Sequence, residues 1–123
     1  MMIKPDSPLQ VKSEAFAQRI TNLYNYLKKV KKEYTMSKQV YRSGTSIGAN
    51  IAESRYAQSP ADFVSKLSIA LKESGETEYW LKSLKGGGFL TEEEFFSIYS
   101  DNVEIGKMLT SSIKTMKKKM GLL

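Results

Sequence analysis

Ser37-Lys-Gln-Val-Tyr-Arg-Ser-Gly-Thr-Ser-Ile-Gly-Ala-Asn-Ile-Ala-Glu-Ser-Arg-Tyr56 is the stretch on which the fold turns. Its centre, Arg42 to Asn50, is poor in helix formers, and each interior glycine costs about 1 kcal/mol relative to alanine. A loop is therefore one reading. Against it, Val40, Gly44, Ile47 and Ile51 recur at steps of 4, 3 and 4, the period of a helix. Gly44, Gly48 and Ala52 fall at i, i+4 and i+8, a row of small residues along which a second backbone can approach closely. A structureless run of this length inside a compact domain would also be unusual. The spacing predicts a helix over about 37–57.

The flanking sequence carries plainer signals. Ser7-Pro8-Leu9-Gln10 offers a cap residue, a proline at the first helical position and a glutamine at the third. Behind it Phe16, Ile20, Leu23, Leu27, Val30 and Tyr34 form an apolar seam, which predicts a helix over about 8–33. Ser59-Pro60-Ala61-Asp62 repeats the start signal, and Phe63, Leu67, Ala70, Thr77, Leu81 and Leu84 continue at helical steps until Gly86-Gly87-Gly88. That segment is predicted as a helix over about 60–85. Thr91-Glu92-Glu93-Glu94 is a capping box whose carboxylates suit the positive end of a helix dipole. The seam after it, Phe95, Ile98, Asn102, Ile105, Leu109, Ile113, Met116 and Met120, predicts a helix over about 92–119, with Asn102 as a buried polar residue that sets register or oligomer state. Four long helices with short connections and no strand signal make the expected fold all-α, an antiparallel up-down-up-down four-helix bundle.

Composition narrows the function. A chain of 123 residues with 41% hydrophobic residues can build one core, so a single domain is expected. Histidine and cysteine are both absent, which excludes disulfides, Cys/His zinc sites, thiol chemistry and any acid–base pair that relies on imidazole. No apolar run approaches the length of a membrane span, and the first residues lack the order of a signal peptide. The expectation is a soluble cytoplasmic protein, not an enzyme and without a cofactor.

Three constellations could carry chemistry. Gly44-Thr45-Ser46-Ile47-Gly48 lacks the preceding strand and the Gly-Lys-Ser/Thr ending of a phosphate loop, so close helix packing explains its glycines better. Arg42, Ser46, Asn50 and Glu53 line one face of the second predicted helix, and Glu73 and Glu76 share a face of the third. Diiron bundles need Glu-x-x-His pairs that this chain cannot supply. A charge-paired polar layer that fixes helix register or a subunit contact is the reading these six residues favour. Trp80 and Tyr79 flank the seam of the third helix and are read as core or interface packing residues, not as a ligand platform.

Basic residues are the third constellation. The net charge is +6, and the whole surplus arises in residues 1–58. In an up-down-up-down bundle Lys4, Lys12 and Arg55 would meet Lys114, Lys117, Lys118 and Lys119 at one pole. Lys28, Lys29, Lys31 and Lys32 would lie at the other, partly neutralised by Glu92 to Glu94. Lysines gathered at one pole favour phosphate backbones through counterion release, without base selectivity.

The strings Gln39 to Ser54 (Gln-Val-Tyr-Arg-Ser-Gly-Thr-Ser-Ile-Gly-Ala-Asn-Ile-Ala-Glu-Ser) and Lys66 to Leu81, within Phe63 to Leu81, resemble the signature of a four-helix-bundle family. It is the family of proteins encoded in intervening sequences of bacterial 23S rRNA genes, which includes the accessory protein of diversity-generating retroelements. The resemblance extends over essentially the whole chain. It implies a homo-oligomer, pentameric in related proteins, with a basic surface, which in the retroelement branch binds a reverse transcriptase and nucleic acid. The family's recurrent polar positions fall on Arg42, Ser46, Asn50, Glu53, Glu73 and Glu76, in structural or intersubunit roles. The triple glycine at 86–88 departs from the family pattern and implies a looser third connection. The alternative is a protein-interaction scaffold whose basic surface docks an acidic partner.

Overall fold

The computed structural model describes residues 6–123. Its helices are α1 (Pro8–Lys29), α2 (Met36–Ser54), α3 (Pro60–Gly86) and α4 (Glu92–Lys119), and no strand occurs among the described residues. Three helix starts are made by the residues that announce them. Ser7 Oγ accepts the Gln10 N–H at 3.2 Å and Ser59 Oγ the Asp62 N–H at 3.0 Å. Thr91 Oγ1 accepts from Glu94 N at 3.1 Å while Glu94 Oε1 accepts from Thr91 N at 2.8 Å, a complete capping box. Gln10 does not complete a box at α1, because its amide donates to Glu14 Oε1 instead.

The fourth start uses a residue that no local signal marks. Thr35, the residue before α2, makes no side-chain cap. Glu33 does the capping: its carboxylate accepts the amides of Thr35 (3.2 Å), Met36 (3.1 Å) and Ser37 (2.7 Å). One buried anion thus satisfies three otherwise unpaired donors at the positive end of α2. This arrangement also ends α1 at Lys29, four residues earlier than the apolar seam predicts. Lys32 takes a left-handed conformation (φ 55°) and the Glu33 amide returns to the Leu27 carbonyl at 2.9 Å. Val30 and Tyr34, expected in the seam, are consequently exposed. At its far end α2 stops at Ser54, and Arg55, Tyr56 and Ala57 make a tight turn of three-residue hydrogen bonds where helix was expected to 57.

The third connection is firm. Gly88 is left-handed (φ 84°), its amide bonds to Lys85 O at 3.0 Å, and the Phe89 amide bonds to Leu84 O at 2.9 Å. This is the glycine-terminated pattern that closes a helix and sets the exit direction of the chain.

Consecutive helices run in opposite senses. Tyr24 lies against Tyr41 while Ser13 lies near Gly48; Ser43 meets Thr77 while Glu53 meets Lys66; Ser74 meets Asn102 while Lys85 meets Glu92. The bundle closes with Lys12 and Arg19 of α1 on Asp101 of α4. The order is the antiparallel up-down-up-down bundle the seams predict.

The core follows the same seams. Phe16, Ile20 and Leu27 of α1, Val40, Ile47 and Ile51 of α2, Leu67, Leu81 and Leu84 of α3, and Ile105 and Leu109 of α4 are fully or almost fully buried. Each such side chain contributes roughly 1.5–3 kcal/mol by leaving water. Gly44 is the tightest point. A Cβ there would lie 2.8 Å from Ile20 Cγ1 and 2.9 Å from Cγ2 and Cδ1, whereas one at Gly48 would make ordinary contact, 3.5 Å from Ser13 O. The weak helix propensity of α2 is therefore offset by close approach to α1, and Gly44 is where that approach requires a bare Cα.

Candidate nucleic-acid interface

The basic pole grows out of helix lengths. Ser7, Pro8 and Leu9 line a shallow groove with Lys107, Met108, Ser111 and Ser112, so α1 begins level with that part of α4. The remaining turns of α4 continue roughly 10 Å past it. Lys114, Lys118 and Lys119 are exposed on this overhang and Lys117 is half-buried. None of the four forms an ion pair among the described residues. Lys114, Lys117 and Lys118, at i, i+3 and i+4, share a face. The helix ends with Gly121 left-handed (φ 75°) and the Leu122 amide on Lys117 O at 2.9 Å, so the lysines are held on a closed helical turn. Cations there also meet the negative end of the α4 dipole.

Arg55 caps the end of α2 at the same pole. It is half-buried, its guanidinium lies 5.4 Å from the Tyr56 ring centre, and its Nε has no hydrogen-bond partner among the described residues. Lys4 lies outside the described residues. Lys12 is differently placed: its Nζ is 3.1 Å from both Asp101 Oδ1 and Glu104 Oε2. The hydrogen bonds that Lys12 donates to Asp101 and then Glu104 raise its pKa, and its charge is matched within the fold. Arg19 joins the same clasp, with Nη1 2.6 Å from Asp101 Oδ2 and 3.1 Å from Ser97 O. Burial works against the Asp101 charge, but the hydrogen bonds from Arg19 and Lys12 outweigh it and hold the carboxyl below its ordinary range.

At the opposite pole the acids at the start of α4 are divided. Glu92 lies 3.8 Å from Lys85. Glu94 is held below its ordinary value mainly by the Thr91 amide, with Tyr26 and Lys31 adding to the effect.

The six polar residues on α2 and α3 are only partly brought together. Arg42 is hydrogen-bonded through Nη2 to Glu76 Oε2, and its Nη1 lies 3.5 Å from Glu73 Oε2. Trp80 Nε1 donates to the same Glu76 oxygen at 3.1 Å. Ser46 and Asn50 turn back on their own helix, donating to the carbonyls of Arg42 and Ser46. Glu53 faces Lys66 at 3.5 Å. The layer is thus an Arg42–Glu73–Glu76–Trp80 cluster bridging α2 and α3, with a separate Glu53–Lys66 pair one end away.

Two buried polar contacts complete the register. Thr77 Oγ1 donates to Ser43 Oγ at 2.9 Å across α2 and α3. Ser74 Oγ donates to Asn102 Oδ1 at 2.9 Å, and Asn102 Nδ2 donates to Ser74 O at 3.0 Å across α3 and α4. Asn102 is the buried residue the α4 seam predicts; its partner Ser74, and the Ser43–Thr77 pair, have no sequence signal beyond a small hydroxyl residue at or beside a seam.

The family model of the 23S rRNA-intervening sequence protein matches residues 7–111. Among solved structures, the chain is similar to the crystal structure of a protein with unknown function from the S23 ribosomal protein family of Bacteroides thetaiotaomicron. The two are 56% identical over 86% of this chain and 98% of that one, with a TM-score of 0.85. No functionally curated protein matches the chain. The family match stops three residues before Lys114, so the lysine-bearing end of α4 lies beyond it. Both strings that carry the resemblance, and all six polar residues of α2 and α3, lie within it, and the four-helix architecture agrees: the chain belongs to the 23S rRNA-intervening sequence protein family.

Proposed function

We propose that the protein is a non-enzymatic, homo-oligomeric bundle of the cytoplasm that binds nucleic acid through phosphates and serves as accessory to a nucleic-acid enzyme. The observation that carries this reading is the α4 overhang, where Lys114, Lys117, Lys118 and Lys119 stand together without a carboxylate partner among the described residues. Arg55 adds to the same pole. Lys12 contributes less, because Asp101 and Glu104 already neutralise it. Phosphate contacts of this kind fix position on a strand but carry no sequence information. Self-association is supported by large apolar side chains left exposed on three helices, among them Val11, Ile69, Tyr79 and Phe96. A chain without imidazole or thiol supports a binding role over a catalytic one.

Light scattering combined with titration of labelled RNA and DNA duplexes at several salt concentrations tests the reading. Expected are a mass of several chains and affinity that falls along a straight log–log salt line. Replacing Lys114, Lys117, Lys118 and Lys119 by Gln lowers that slope by roughly 0.9 for each phosphate that is no longer neutralised. An oligomer that ignores both duplexes at low salt overturns the proposal and leaves the scaffold with an acidic protein partner.

A further inference from the structure

The α1–α2 tip presents a second arrangement, at the other end of the molecule. Residues 24–41 contain five lysines and four tyrosines against one glutamate, Glu33. Glu33 is buried and directed at the α2 amides, so it does not face the tip lysines as a free surface anion. Glu94 acts on Lys31 from α4, whereas Lys28, Lys29, Lys32 and Lys38 have no ion pair among the described residues. The rings of Tyr24 and Tyr41, from two different helices, are stacked with centres 4.5 Å apart and planes at 20°. Lys28 Nζ lies 4.4 Å from the Tyr24 ring centre. Neither ring belongs to the hydrophobic core, Tyr41 is 37% exposed, and Tyr34 in the connection between the two helices is 54% exposed.

We infer that this tip is a binding site for unpaired nucleic-acid strands, in which a base extends the Tyr24–Tyr41 stack and the lysines hold the adjoining phosphates. Aromatic faces bordered by cations are the combination that single strands need, because every base has a face to stack and every linkage a charge to neutralise. A duplex would use the lysines but keeps its bases stacked internally, and an acidic peptide would leave the rings unused. The site stands roughly the length of α4, about 40 Å, from the overhang lysines, and it does not rest on the phosphate-binding reading of that pole.

Fluorescence anisotropy with labelled 15-mers of oligo(U) and oligo(dT), and with a duplex of the same length, decides the matter on the full chain. Both single strands bind more tightly than the duplex, and the ratio between them shows whether RNA or DNA fits better. Tyr41→Ala weakens single-strand binding roughly tenfold, the effect of removing one stacking platform, while Tyr41→Phe retains it and duplex binding is unchanged by either. Tyr41→Leu, which keeps apolar volume beside Tyr24 but has no ring, gives the same loss if Tyr41→Ala does not fold. The inference is overturned if single strands bind no better than the duplex, if the ring-free variants bind them like the wild type, or if polyglutamate competes equally and with the same dependence on Tyr41. The variant with Gln at 114, 117, 118 and 119 keeps its Tyr41-dependent single-strand binding. A protein that fails on duplexes but passes here therefore loses the overhang proposal and retains this one.

Discussion

Gly44 stands so close to Ile20 that no side chain fits between them: a methyl group on its Cα would sit within 2.9 Å of three Ile20 carbons. Ile20 is fully buried and cannot swing into solvent. The neighbouring glycine in the same row, Gly48, is under no such restriction.

The two glycines should therefore respond in opposite directions to the same substitution. Gly48→Ala gains helix propensity and stabilises the protein by up to about 1 kcal/mol. Gly44→Ala gains the same propensity but overpacks α1 against α2, for a net loss of roughly 1–2 kcal/mol. Urea unfolding of both variants checks this, and Ile20→Val in the Gly44→Ala background recovers part of the loss. Equal effects at the two positions would refute the close-approach account.

Ser74 and Asn102 satisfy each other in a buried site, so their substitutions are coupled. Asn102→Leu alone leaves Ser74 Oγ without its partner and costs about 1–3 kcal/mol. Ser74→Ala added to it removes the stranded hydroxyl and restores part of that stability. A double-mutant cycle by thermal unfolding measures the coupling, expected at about 0.5–3 kcal/mol for residues in contact.

Glu33 should behave as a helix cap in spite of lying outside the usual cap position. Glu33→Ala leaves three α2 amides unpaired and costs about 1–2 kcal/mol. Glu33→Gln keeps an acceptor oxygen but loses the charge at the helix terminus, and falls between wild type and Ala. Circular dichroism melts rank the three proteins; an Ala variant as stable as the wild type would remove Glu33 from the account of how α2 begins.

Acid acts through Asp101. A carboxyl held below its ordinary value, here near 3.8, stabilises the fold at every pH above that value, and this contribution disappears as pH falls from about 3.8 through the lower folded value. The wild type should thus lose stability below pH 4 more steeply than Asp101→Asn, which starts out less stable at pH 7 because Arg19 and Lys12 lose their partner. Lys12 gives the reverse at the alkaline end: its stabilisation is complete below about 10.5 and is lost as pH rises through the raised folded value. Unfolding midpoints of both proteins between pH 2 and 7 show whether the curves converge in acid.

The sequence shows the architecture wherever periodicity and caps agree. The seams of α2 and α3 are buried residue for residue, and the Ser59 and Thr91 starts form as their patterns require. The end of α1 is illegible because Val30 and Tyr34 continue the period while the stop is made by Lys32, a residue with no preference for a left-handed conformation, and by a glutamate whose capping role depends on where α2 sits. At the basic pole, the sequence places the lysines at one end of the bundle but cannot show that Lys12 lies opposite Asp101 and Glu104, since Lys12 and Asp101 stand 89 residues apart in the chain. The polar layer divides for a related reason. Six residues share faces by spacing, yet only Arg42, Glu73 and Glu76 stand at a height where their long side chains meet.

α1 and α4 pack less closely than the other neighbouring helices of the bundle, and charges clasp their seam: Lys12 and Arg19 on one side, Asp101 and Glu104 on the other. Paired charges at a half-exposed seam weaken as ionic strength rises, whereas the ion pairs of the α2–α3 boundary stand over a buried Ser43–Thr77 contact and an apolar core that salt does not screen. Salt is accordingly a lever on the α1–α4 seam more than on the rest of the bundle. Amide protons of α1 should exchange sooner than those of α2 and α3, by a margin that widens with added salt.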